Sequence, residues 1–156
     1  MKFQILLTAA LMTIGSWSFA DSASDLILEK KLSAEYLAQM ALEKGAVVLE
    51  EGVVLRPIYK TASEAFASLE STVHVSYFLT DREANVLEES VSSDEDLAFP
   101  LKRLIKCWQI AIPKMPVGSL YKVSCPSTTA YGDAGAGDGL IKPGAALTFR
   151  ITLFGL

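Results

Sequence analysis

The chain is poor in the side chains that usually carry reactive chemistry. Among 156 residues there is one histidine, His74, and two cysteines, Cys107 and Cys125. That leaves no His/Cys cluster at metal-ligand spacing and no Cys-x-x-Cys redox pair. Gly132, Gly135, Gly137 and Gly139 form a glycine-rich stretch, but no Lys-Ser/Thr pair or helix pattern follows it, which excludes a phosphate-binding loop. Positive charge is also scarce: 14 Lys and Arg stand against 18 Asp and Glu, for a net charge of −4. Without a basic patch, nucleic acid is not an expected partner. Neither a metal nor an organic cofactor is expected.

Long apolar runs are equally rare. The one that stands out, Ile5 to Ile14, is shorter than the ~20 residues that span a bilayer. Preceded by Lys2 and followed by Ser18-Phe19-Ala20, it has the layout of a secretory signal peptide cleaved after Ala20. The expected destination is the periplasm or the exterior. There Cys107 and Cys125 could pair, or they could stay apart as two buried thiols. A bridge needs Cα atoms within about 7 Å, and the sequence leaves both arrangements open.

What remains, 51 % hydrophobic and 21 % charged, suits one globular domain with an extension. Residues 21–50 read as a helical arm. Ser33 is the expected N-cap, Leu37, Met40, Ala41 and Lys44 follow at helical spacing, and Gly45 stops the helix. Leu26, Ile27 and Leu28 could begin an earlier turn of the same arm. From Gly52 the period shortens to that of strands. Val53 to Tyr59 is rich in β-branched and aromatic residues, with Pro57 marking an edge or a bulge. Thr72 to Leu79 alternates, with Val73, Val75 and Tyr77 on one face. Val86 to Val91, Tyr121 to Cys125 and Ala146 to Phe154 supply further strands. Thr61 to Leu69 is helical by propensity alone. A short helix is expected over Leu104 to Ile112, ended by Pro113. His74 falls out of phase with the inward set and is expected to face solvent, as is the acidic run Asp94-Glu95-Asp96.

The stretch Val123 to Phe154 carries the most information. It holds an Ala130-Tyr131-Gly132 corner, the glycine-rich loop, Ile141-Lys142-Pro143 and a closing strand with Phe149. Upstream lie Val75-Ser76-Tyr77, Leu87-Glu88-Glu89-Ser90, Phe99, Leu104-Ile105-Lys106-Cys107-Trp108 and Met115-Pro116-Val117-Gly118. This ordered series resembles the FKBP-type peptidyl-prolyl isomerases, most closely their exported macrophage-infectivity-potentiator-like members, over Gly52 to Leu156. The chain departs from the family pattern where Leu87 stands for an aromatic, Glu88 for aspartate, Cys107 and Ala84 for glycines, and Leu79 for the glycine after the second strand. Asn85 is expected to take the left-handed conformation in place of the lost turn glycine.

The resemblance implies an α+β fold, a twisted antiparallel half-barrel wrapped around one short helix. With the segments read above, the chain is expected to divide into a signal peptide (1–20), a helical arm (21–50) and, where the resemblance lies, an isomerase domain (51–156). The resemblance also implies a strand connection rather than a helix over Thr61 to Leu69. The implied activity is rotation about Xaa-Pro bonds in exported, proline-containing polypeptides. The implied catalytic residues are Tyr131 and Glu88, in a pocket walled by Tyr77, Leu87, Phe99, Leu104, Ile105, Ile141 and Phe149 over a Trp108 floor. Tyr131 resembles the tyrosine whose hydroxyl bonds the bound carbonyl. A non-catalytic chaperone or peptide-binding module on the same fold is the alternative. The arm could form a homodimer, pack on its own domain, or stay free.

Overall fold

The computed structural model describes residues 17–90 and 97–156. Most of the expected signal peptide and the run Asp94 to Asp96 lie outside the described residues. The elements follow in the order α1 (Trp17–Ala41), β1 (Val47–Val48), β2 (Val54–Tyr59), β3 (Thr72–Thr80), β4 (Val86–Glu89), β5 (Leu97–Pro100), α2 (Lys106–Ala111), β6 (Leu120–Cys125) and β7 (Leu147–Gly155). All strands pair antiparallel in one sheet of order β1-β2-β6-β7-β3-β4, with β5 pairing the other end of β3. This is the α+β half-barrel expected from the sequence.

Alternation along the strands explains the concave core. Val73, Val75 and Leu79 of β3 point to the same face as Leu147, Phe149, Ile151 and Leu153 of β7 and Tyr121 and Val123 of β6, all buried. Register sets Leu79 opposite Phe149, and Phe149 opposite Val123, so three strands present one continuous apolar row. Across this face lies α2, which buries Cys107, Trp108, Ile110 and Ala111. At two turns it is shorter than the sequence suggests, because Ile112 to Lys114, with Pro113 at its centre, tightens into a 3-10 turn. Cys107 and Cys125 form a disulfide, with Cα atoms 5.8 Å apart, that ties α2 to the end of β6. Pro57 sits where β2 shifts register against β6, the bulge that its missing N–H requires. Residues 61–69 are not helical. They form an irregular loop with a bend at Ala62, in which Phe66 alone bridges Pro116.

The arm differs most from its sequence reading. α1 is continuous from Trp17 to Ala41, so Ser33 lies within the helix rather than at its N-cap, and the helix stops short of Lys44. Ser33 makes a tertiary contact instead, its Oγ accepting the Ala146 N–H at 2.8 Å, just before β7. Next along the same stripe, the Tyr36 hydroxyl lies 2.7 Å from Thr148 Oγ1, which in turn meets Ser124 Oγ at 2.9 Å. Ser124 and Thr148 point away from the concave core and are still buried, because α1 covers them. Gly144 lets the helix approach, since a Cβ there would lie 2.9 Å from both Leu26 and Lys30 side chains. The arm is packed on its own domain.

Two smaller expectations also change. Ala84, not Asn85, takes the left-handed conformation of the β3–β4 turn, at φ +66°. Asn85 instead caps the turn by bonding Asp81 through its backbone and side-chain nitrogens. His74 is half-buried rather than solvent-facing, held between Ala98 of β5 and Gly155 of β7.

Candidate functional site

The concave face is open at one end, where α2, β3, β4, β5 and the corner after β6 meet. There Tyr77, Glu88, Phe99, Leu104, Ile105, Trp108, Tyr131 and Phe149 line a cavity of about 140 Å³. Three aromatic rings build it. Trp108 stands edge-on to Tyr77 (centroids 5.2 Å apart, 81° between planes) and to Phe149 (5.3 Å, 88°). Tyr77 and Phe149 meet at 6.2 Å and 63°. Mutually edge-on packing of this kind is a favoured arrangement for aromatic quadrupoles. Trp108 is almost fully buried, and its indole N–H has no hydrogen-bond partner among the described residues.

The polar groups are few and unequal. On the pleat, Glu88 lies opposite Leu79, on the same face as Tyr77, and its carboxylate accepts the Tyr77 hydroxyl proton at 2.6 Å. Burial raises the Tyr77 phenol well above its ordinary value of 10, and the bond to Glu88 raises it further. The Tyr131 phenol is raised too, first by burial and then by the Glu88 charge. Both are therefore neutral donors at physiological pH. Tyr77 spends its proton on Glu88. The Tyr131 hydroxyl has no partner among the described residues and is the phenol free to bond a ligand.

Tyr131 owes its place to the chain around it. Ala130 and Gly132 both donate to Ser127 O, which winds the corner tightly after the disulfide-anchored end of β6. The following loop folds back through paired bonds between Ala136 and Ile141. Gly135 is obligatory there, since a Cβ would come within 2.2 Å of Ile141 O.

The structure thus brings together the expected site residues except Leu87 and Ile141. Leu87 is the extra residue of β4 at the register shift between Leu79 and Thr80, and it packs against the core. With Ile141 it lines a separate depression that also includes Arg82, Leu140 and Lys142. A larger groove of about 550 Å³ runs beside α1, between Leu26, Glu29, Arg82 and Pro143, and mixes charged with apolar walls. Among the described residues no group of three or more His, Cys, Asp or Glu is arranged to hold a metal.

An antiparallel half-barrel closed on a short helix, with an aromatic-lined cavity and one uncommitted phenol, defines the class of fold and site. Residues 63–154 match the FKBP-type peptidyl-prolyl cis-trans isomerase family, and the chain belongs to it. It is 32 % identical over 137 residues to the FKBP-type peptidyl-prolyl cis-trans isomerase FkpA of Aeromonas hydrophila, matching 88 % of this chain and 50 % of that protein. The chain thus spans about half the length of that curated relative. Among solved structures it superposes on FkpA from Escherichia coli with a TM-score of 0.78 at 27 % identity, over 88 % of this chain and 63 % of that one. It superposes on a peptidyl-prolyl cis-trans isomerase from Pseudomonas syringae pv. tomato with a TM-score of 0.75 at 26 % identity, over 83 % and 93 %.

Proposed function

We propose that the protein catalyses cis-trans rotation about Xaa-Pro bonds in polypeptides. The carrying observation is the cavity of perpendicular Tyr77, Trp108 and Phe149 rings beside the uncommitted hydroxyl of Tyr131. Its volume is several times that of one water, enough to admit a small ring such as proline's.

Rotation meets a barrier of about 18–20 kcal/mol because amide resonance gives the C–N bond partial double-bond character. At the crest that resonance is lost and the imide is less dipolar than when planar. An apolar, water-excluding wall therefore disfavours the planar ground state relative to the twisted form. Trp108 supports the prolyl ring, while Phe99, Leu104, Ile105 and Phe149 keep water away. Tyr131 donates to the substrate carbonyl and holds one side of the bond still as the other turns. Glu88 completes the rim and keeps the Tyr77 ring upright. No covalent intermediate, metal or cofactor is needed.

Export to the periplasm or beyond, after cleavage near Ala20, fits the sequence of residues 1–20 and the Cys107–Cys125 bond, which is at home in an oxidising compartment. The domain division 1–20, 21–50 and 51–156 belongs to the same reading.

The test is NMR exchange on a short series of Xaa-Pro peptides, with the wild-type chain and Tyr131→Phe. Acceleration that falls in the variant supports the isomerase. A folded protein that accelerates no peptide would overturn it and leave a binding module on the same fold.

A further inference from the structure

Between α1 and the rim of the cavity runs a charged connection that the pocket chemistry does not use. Glu29 is a buried carboxylate on α1, at 9 % exposure. It accepts two hydrogen bonds from one guanidinium, Arg82 Nε at 3.0 Å and Nη2 at 3.2 Å, and a third from Ser33 Oγ at 3.4 Å. Such a forked pair fixes orientation as well as distance. Arg82 lies in the turn between β3 and β4, and that turn is itself tightly closed. Asp81 accepts from the Glu83 N–H, the Asn85 N–H and the Asn85 side chain, which ties residues 81–85 into one hydrogen-bonded turn.

The next element is β4, four residues long and outermost in the sheet. It carries Glu88, which holds Tyr77. A short outer strand has ladder bonds on one side only, so its position depends on whatever grips its ends. At the turn end the grip is Glu29. The other end of the connection is equally firm, since Ser33, one helical turn from Glu29, accepts the Ala146 N–H just before β7.

We propose that Glu29 is a positioning residue of the isomerase site: through Arg82 it sets the β3–β4 turn and thereby holds Glu88 against Tyr77 at the cavity rim. The inference rests on the assignment of that cavity as the isomerase site. It makes α1 part of the site's framework, although no α1 residue lines the cavity.

The experiment uses the full chain and compares wild type, Glu29→Gln, the double variant Glu29→Gln/Arg82→Met, and Tyr131→Phe. Thermal unfolding is measured beside kcat and KM from peptide exchange and the amide shifts of Tyr77 and residues 87–89. Glu29→Gln alone removes the forked partner of Arg82, leaves it only the Glu83 carboxylate at 2.6 Å, and is expected to lower Tm. The double variant removes both charges, so its Tm is expected to recover. A positioning role predicts that kcat stays down about tenfold in both variants, below the ~100-fold that a misplacement of about 1 Å can cost, with the Tyr77 and Glu88 amides displaced. If kcat returns to wild type as Tm recovers, or if those amides do not move, Glu29 is only a structural contact and the proposal is overturned. Loss of activity in Tyr131→Phe shows in the same experiment that the cavity assignment stands. Full activity in that variant would sink the assignment, and the positioning role with it.

Discussion

The two faces of the sheet solve burial in opposite ways. The concave face, under α2, is filled with aliphatic and aromatic side chains, and its one polar pair, Tyr77 with Glu88, sits at the open rim. The convex face, where α1 lies across the ends of β6 and β7, is joined by polar contacts: Ser33 to Ala146, Tyr36 to Thr148 and Ser124, Glu29 to Arg82. The Ser33, Tyr36 and Glu29 contacts spend their polar atoms within the protein, whereas the ring-lined face keeps the Tyr131 hydroxyl unspent. Hydrophobic contact is non-directional and tolerates an opening, whereas a hydrogen-bonded seam must close fully or be penalised for each orphaned group.

Breaking the concave face should cost most. Trp108→Ala removes the centre of the ring cluster and is expected to destabilise the fold by about 3–5 kcal/mol while abolishing peptide isomerisation. Urea unfolding together with NMR exchange would check both. Cutting the disulfide comes next. Its ends are 18 residues apart, and closing a loop of that size is worth about 3 kcal/mol through the unfolded chain. Cys107→Ala/Cys125→Ala should lower stability by that order in chemical denaturation, and dithiothreitol should move the wild type towards the same midpoint.

On the convex face, outside the Glu29–Arg82 pair, the effects should be smaller. Ser33→Ala orphans the buried Ala146 N–H and is expected to cost about 1–3 kcal/mol. A change inside about 0.5 kcal/mol would mean water replaces the hydroxyl.

Alkaline pH separates the faces in another way. Burial raises Tyr77, Tyr131 and Tyr121 above 10, so the folded state keeps phenolic protons that the unfolded chain releases. Stability is therefore unaffected by these groups below about pH 10 and falls as pH rises beyond it, because the unfolded state then binds fewer protons. Urea midpoints at pH 8 and pH 11 should differ in that direction, and Tyr77→Phe should shrink the difference. The smallest expected effect is a gain: Ala84→Gly relieves a left-handed alanine and should stabilise by about 1 kcal/mol in thermal or urea melts.

Much of this architecture was legible because it rests on period and on turn chemistry. Alternation along Thr72 to Leu79 and Ala146 to Phe154 is a property of the strands themselves, and so is the face on which Val75 or Phe149 is buried. The same holds for the Ala130-Tyr131-Gly132 corner and the bulge at Pro57, where local covalent limits leave few options. Residues 61–69 show the opposite case, with a helical propensity overridden by long-range pairing of Phe66 with Pro116. Ser33 was legible as a helix residue but not as an internal one. A serine that meets the backbone of residue 146 looks, in one dimension, like a serine that caps its own helix.

Leu87 and Glu88 show where one-dimensional reading stops. Both match the family series, yet only Glu88 lines the cavity, while Leu87, the extra residue at the β4 register shift, packs against the core beside Ile141. The same limit holds for Cys107 and Cys125 and for Glu29 and Arg82. The sequence alone determines residue chemistry and the faces that local periods impose, since both depend on neighbours within a few positions. Whether two thiols meet 18 residues apart, or a helix carboxylate clamps a turn 53 residues away, depends on the closed sheet. Only the tertiary structure brings distant backbone to the fixed separations that such bonds require.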